Sequence, residues 1–300
     1  MVAVAGVIVP FFAGWGIWAL WGNPHLESVF VGAALTATSV GITAQVLSSK
    51  GLLSLTASKI ILAAAVIDDV LALLVLGVVS SLAEGKVNFL ELILTPLFSI
   101  IFVVVVFRWG HRTAGKMVTR LEGRLKISEE TFVVTMILLF ALAALSAKAG
   151  VAAITGAFLA GTALSESLPK RVHEQANGIA ELFIPFFLAG IGLHFDLRAF
   201  TNRTTLMLTL VILVAAILSK VLACGLGAAR YGFTVARQVG LGMIPRGEFC
   251  IVVAQIGLGL KVIPASTYAI VVFMAVLTTV LAPPLVKLAF RDAVPQTVLH

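Results

Sequence analysis

Between Ile60 and Val79 the chain runs through twenty residues whose only charges are two adjacent aspartates, Asp68 and Asp69. About 20 apolar residues cross the hydrocarbon core of a bilayer as a helix. A carboxylate at the centre of such a helix costs a few kcal/mol or more. Two side by side cost more still, unless one is protonated, paired or bound to a cation. A patch that only helped helices associate would be made at lower cost from serine or asparagine. The pair therefore reads as a functional site, and the rest of the chain as its housing.

Composition fixes the class of that housing. Hydrophobic residues make up 60% of the 300 and charged residues 12%, where a soluble domain carries about twice that charge. Only helices or closed barrels satisfy their own backbone in hydrocarbon, and the apolar runs have helical length. The fold class expected is all-α, a polytopic helical membrane protein. Ten spans are legible: Val2–Trp21, Ser28–Leu47, Ile60–Leu82, Phe89–Phe107, Thr131–Ala147, Gly150–Leu164, Ile179–Leu193, Thr205–Gly227, Val239–Leu260 and Tyr268–Leu288. A basic loop, Arg108–Lys126, follows the fourth.

The net charge of +7 does not indicate nucleic acid as a partner, because the basic residues lie mostly between spans, where they set topology. Of the 21 lysines and arginines, fourteen fall in connections on one side and five on the other, leaving Lys220 and Arg246 inside spans. The richer side is expected to be cytoplasmic, which puts both ends of the chain there. Cys224 and Cys250 sit in apolar stretches and read as small packing residues; neither a disulfide framework nor a cofactor is expected. Trp15, Trp18, Trp21 and Trp109 read as interfacial anchors. His194, Asp196 and Glu181 read as interfacial groups flanking the seventh span. Met1 leads almost directly into an apolar run with no charged n-region, a poor signal peptide, so the chain either begins on a bare span or has a portion upstream.

Three more charged groups fall within spans: Lys220, Arg246 and Glu248. Lys220 lies deep in the eighth span, too far from either end for easy snorkelling, so a buried partner of the same depth is expected. The aspartate pair supplies one. Asp68 and Asp69 stand about 100° apart around a helix, so one can face a lysine while the other faces a cavity. Neighbouring carboxylates also titrate as a coupled pair, and a carboxylate that takes a proton or a small cation is the minimum machinery for exchange.

The second and ninth spans are poor helices. Thr36, Thr38, Ser39 and Thr43 carry hydroxyls that bond their own backbone, and Gly41 loosens the turn. Pro245 stands among Gly242 and Gly247 and removes a helix donor. Both spans read as discontinuous helices, whose half-helix ends and freed carbonyls line ion sites, rather than as simple proline kinks. Spans one to three and eight to ten are then two triplets with a broken middle member, running in opposite directions: an inverted repeat. Residues 1-82 and 201-300 would form the two halves of an ion-translocating core, and 83-200 a linking and dimer-side scaffold.

Five segments carry a resemblance: the Thr38–Leu47 stretch, V-I-D-D-V-L around Asp68, Ile184–Leu193, L-S-K-V-L around Lys220 and G-L-G-M-I-P-R-G-E ending at Glu248. In this order they resemble the monovalent cation:proton antiporter-2 family, nearest to bacterial sodium/proton antiporters with a paired-aspartate motif. The resemblance implies that Asp69 binds the cation, sodium as the metal carried, or its protons. It pairs Asp68 with Lys220, places Thr38 near the ion site, and puts Arg246 and Glu248 in the second crossing helix. It also implies elevator-like alternating access and a homodimer. Family members have about thirteen helices, so about three are expected upstream of Met1. The doubled acid favours sodium, with lithium as surrogate, over potassium, whose efflux proteins usually carry one of the two acids and a carboxy-terminal regulatory domain that is not expected here.

The function expected is electrogenic sodium/proton antiport, not enzymatic catalysis. A potassium/proton antiporter is the nearest alternative. A cation channel wants several weak sites along a pore, where this chain concentrates one. An intramembrane aspartyl protease needs carboxylates meeting from separate helices, whereas Asp68 and Asp69 are adjacent on one.

Overall fold

A computed structural model describes residues 1–83, 130–148, 168–193, 195 and 197–291, with single positions between 153 and 164. The helices are α1 (Val2–Leu20), α2 (His25–Ala34), α3 (Val40–Ser49), α4 (Thr56–Ala83), α5 (Glu130–Lys148), α6 (Lys170–Leu193), α7 (Arg203–Ala228), α8 (Phe233–Gly242), α9 (Glu248–Gly259) and α10 (Ala265–Ala289). Among the described residues there is no strand. Among the described residues, five helices are long and apolar enough to cross a membrane: α1, α4, Thr131–Lys148 of α5, α7 extended to Tyr231, and α10. The spans expected at Phe89–Phe107 and, but for single positions, Gly150–Leu164, together with the basic loop Arg108–Lys126, lie outside the described residues.

Two compact units divide the chain: Met1–Ala72 with Leu193–His300, and Leu73–Gly192. In the second, Val134 and Leu164 form a small apolar core with Leu138 and Leu168 around them. Helix α6 begins at Lys170, well before the expected start at Ile179. Hydropathy marks where a helix enters hydrocarbon, and lysine, arginine and glutamate are good helix formers that carry it beyond.

The first unit has a repeated order of helix, broken helix, helix. Helices α2 and α8 stand 208 positions apart at both ends (233 less 25, 242 less 34). Helices α3 and α9 start at the same offset (248 less 40), and α1 and α7 end at it (228 less 20). Each first helix reaches its broken partner through a glycine in the left-handed region, Gly22 at φ +88° and Gly232 at φ +96°, a conformation that glycine alone adopts without strain. The two triplets run in opposite senses. Val2 at the start of α1 lies against Gly227 at the end of α7, and Gly6 lies against Cys224 one turn earlier. The repeat is therefore inverted.

Helix α7 shows how the residues choose their faces. Ile212, Ala216, Lys220 and Cys224 are fully buried, while Leu210, Val214, Leu218 and Leu222 are exposed. Both sets recur every fourth residue and so form two stripes of one helix. A helix apolar on its outer face as well as its inner one is a membrane helix, and the exposed leucines are its lipid side. The core proper joins Val2 and Ala3 of α1 to Leu47, Ile61, Cys224, Val239 and Met243, and to Val286 and Phe290 at the far end of α10.

One expectation fails here. Trp18 is not an interfacial anchor: it is 1% exposed, and its indole N–H donates to Glu27 Oε1 at 3.0 Å. The same carboxylate oxygen accepts from Thr267 Oγ1 at 2.6 Å. The helix end at Leu20 places Trp18 inside the turn into α2, so its polar edge meets protein instead of lipid headgroups. Trp15 is partly buried and donates to His25 Nδ1 at 3.4 Å; Trp21 is exposed, and Trp109 lies outside the described residues. Glu181 is exposed, as an interfacial group would be, and His194 and Asp196 lie outside the described residues.

Candidate ion site

The two broken helices cross at their breaks. Helix α2 stops at Ala34 and α3 resumes at Val40; α8 stops at Gly242 and α9 resumes at Glu248. Each half-helix has ten or twelve residues, about 15–18 Å at 1.5 Å per residue, half the thickness of a bilayer core. Thr36 marks the first break: its N–H, at 3.1 Å, and its Oγ1, at 2.7 Å, both donate to Ala33 O where α2 stops. Pro245 opens the second by offering no N–H.

The freed groups then bond across the crossing. Ser39 N donates to Pro245 O at 2.7 Å, and Thr43 Oγ1 donates to Gly242 O at 2.8 Å. Carbonyl ends of α2 and α8 and amide ends of α3 and α9 thus converge, bringing partial charges of both signs to one place. The fit requires glycine at 247, where a Cβ would collide with Ser39 Cβ and stand 2.5 Å from its Oγ. Gly247→Ala is expected to destabilise by about 1–3 kcal/mol, the usual cost of overpacking. Thermal melting checks it, with Ser39→Gly expected to restore the loss; an unchanged melting temperature in the single variant would refute the close crossing.

Arg246 is fully buried in the second break. Its NH2 donates to Ala216 O at 2.9 Å and its NH1 to Ala37 O at 3.3 Å, while its own carbonyl accepts from Thr279 Oγ1 at 2.7 Å. One residue thereby ties α7 and α10 to both breaks. Thr38, 208 positions before Arg246 (246 less 38), is also buried, and its hydroxyl has no hydrogen-bond partner among the described residues. A buried hydroxyl without a partner is costly, and a cation or water at the crossing would satisfy it.

Lys220 and Asp68 meet. The ammonium lies 3.1 Å from Oδ2 and 3.4 Å from Oδ1, and both side chains are 0% exposed. Helices α4 and α7 are therefore joined by an ion pair shut off from solvent. Asp69, about 100° further around α4, is only partly buried. The adjacency that looked redundant in the sequence separates one enclosed carboxylate from one that is reachable. Ser39 and Arg246 come together at the crossing, with Thr38 in the same break as Ser39. Glu248 opens α9, and its side chain lies outside the described residues. Among the described residues no group of three metal-ligating side chains gathers, so a cation here would draw on hydroxyls and carbonyls besides carboxylate. Cys224 and Cys250 are free and buried.

Sequence reasoning did not single out Glu27, Thr267, Thr279 or Gly6. Glu27 and Thr267 sit near span ends, where polar groups ordinarily meet water. Threonine and glycine inside apolar helices carry no signal of their own.

Comparison with known proteins gives the family. Residues 1–291 match the family described as sodium/hydrogen exchanger, transmembrane. The chain is 33% identical to the high-affinity Na(+)/H(+) antiporter NhaS3 of Synechocystis sp. over 98% of its own length and 65% of that protein's. It is 31% identical to the Na(+)/H(+)-K(+) antiporter GerN of Bacillus cereus over 96% of its length and 74% of that protein's. An Enterococcus hirae Na(+)/H(+) antiporter is 29% identical over 95% of the chain and 75% of its own length. With an enclosed lysine–aspartate pair, two crossed breaks and an inverted repeat already in place, the match over nearly its whole length assigns this multi-pass membrane protein to the transmembrane sodium/hydrogen exchanger family of antiporters.

Proposed function

We propose that the protein exchanges sodium for protons across the membrane by alternating access, and that Asp69 is the carrier. The observation that carries this is the division of the aspartate pair: Asp68 is enclosed with Lys220, and Asp69 alone stays partly accessible. Asp69 holds either a proton or a sodium ion. Thr38, with its unpartnered hydroxyl, and the carbonyls of the crossing complete the cation's shell in place of water. Ser39 lines the same crossing, Glu248 begins the half-helix that leaves it, and Arg246 balances the carbonyl ends of α2 and α8 so that they do not trap the cation.

Protons arriving from the more acidic side displace sodium from Asp69, and deprotonation on the other side lets sodium bind again. If the Lys220–Asp68 pair also exchanges a proton during the cycle, more than one proton moves for each sodium and transport is electrogenic. Residues 1-82 and 201-300 serve as the moving core, with 83-200 as scaffold and dimer side. The protein works as a homodimer in the lipid of the cell membrane, with both ends of this chain cytoplasmic, and it is a transporter, not an enzyme. Potassium is the second reading for the cargo, favoured by the likeness to the relative whose name joins sodium and potassium.

Proteoliposomes with an imposed pH gradient and a pH-sensitive dye test the reading. Added sodium is expected to dissipate the gradient, lithium to replace it, and potassium to act weakly. No response to any of the three would refute antiport, and a response to potassium alone would replace the cargo.

A further inference from the structure

Helix α1 forms a third wall around the Lys220–Asp68 pair. A Cβ built on Gly6 would stand 2.8 Å from Cys224 Sγ, 3.5 Å from Lys220 Nζ and 3.8 Å from Asp68 Oδ1. One residue of α1 therefore faces both members of the pair at once. Close approach of two helices through small residues is common in membranes, and α1 meets α7 again where Gly227 lies against Val2. At Gly6 that close approach, tightest against Cys224, also falls over the ion pair. Its counterpart 208 positions on (6 plus 208) is Val214, which is 52% exposed and faces away from the core.

We propose that Gly6 is a positioning residue of the Lys220–Asp68 pair: lacking a side chain, it leaves the two charges to satisfy each other on the side facing α1, and the group at position 6 sets how firmly they are held. A methyl placed there, once Cys224 is shortened, touches the pair without offering it a hydrogen bond. A hydroxyl at the same place reaches the ammonium as acceptor and the carboxylate as donor. The proposal does not depend on the antiport reading, because its test reads stability alone.

The test uses the purified full chain with Cys224→Ala throughout, comparing Gly6→Ala with Gly6→Ser. The serine variant is expected to melt at a higher temperature than the alanine variant. That difference is expected to vanish when Asp68→Asn and Lys220→Met remove the pair together. A difference that survives removal of the pair, or no difference in either background, overturns the proposal whether or not the protein transports. A serine variant that folds only once the pair is gone, or that fails in both backgrounds, overturns it.

Discussion

Asp69→Asn is expected to reduce sodium-driven proton movement to the level of protein-free vesicles, a loss of about a hundredfold or more. Asparagine keeps the size of the side chain and one oxygen, but it neither ionises nor carries a proton through the cycle. Losing a charged partner for a desolvated cation is worth about 3 kcal/mol, and each 1.4 kcal/mol is about tenfold. The substitution should leave the fold intact, because Asp69 is only partly buried and is not the enclosed member of the pair. The check is dye-reported exchange in proteoliposomes beside the melting temperature of the same preparation. Exchange above about a tenth of the unsubstituted rate, given that threshold against the hundredfold loss expected, would move the carrier role away from Asp69.

Lys220→Met produces the second large effect, on stability. Both side chains of the pair are 0% exposed at 3.1 Å separation, so removing the ammonium leaves an uncompensated carboxylate inside the core. Breaking such a pair costs about 3–5 kcal/mol, whereas replacing both partners by neutral groups of similar volume is often nearly neutral. Lys220→Met is therefore expected to melt well below the unsubstituted protein, and adding Asp68→Asn to recover much of the loss. The pair lies between α4 and α7, so the recovery reads directly whether those helices are held by charge or by shape. A double variant no more stable than the single one would show that Lys220 matters for something other than Asp68. Transport is expected to fall in both, because neither keeps the enclosed Lys220–Asp68 pair.

The sequence read alone reached far at the centre of the membrane and less far at its edges. Charges at Asp68, Asp69, Lys220 and Arg246 stand out because hydrocarbon penalises them, and that penalty is written in the residue types themselves. Thr36, Pro245 and Gly247 mark the breaks for a similar reason, since each weakens a helix locally. Glu27 and Trp18 were not legible. Near a span end a carboxylate and an indole normally face water and headgroups, and only the turn at Gly22 folds them inward, to bond each other. Gly6 was equally silent, because a glycine in an apolar helix looks the same whether it faces lipid or an ion pair.

The inverted repeat lay between these cases. Its broken middle members were visible as patterns, yet Leu35–Ser39 and Met243–Gly247 share no residue at corresponding positions. The common offset of 208 emerged from helix ends, which depend on backbone geometry more than on side-chain identity.

From its residues alone the chain determined that it spans a membrane as helices, that a carboxylate pair lies at the middle, and that two helices break nearby. Those facts follow from transfer and helix-forming free energies, which are local. Tertiary structure decided which aspartate meets Lys220, which carbonyls receive Arg246, and that a glycine of α1 closes over the pair. Such partnerships join residues far apart in the chain, 30 positions for Arg246 and Ala216 and 152 for Asp68 and Lys220. They are fixed by how helices lie against one another, a property that no single stretch of the chain carries.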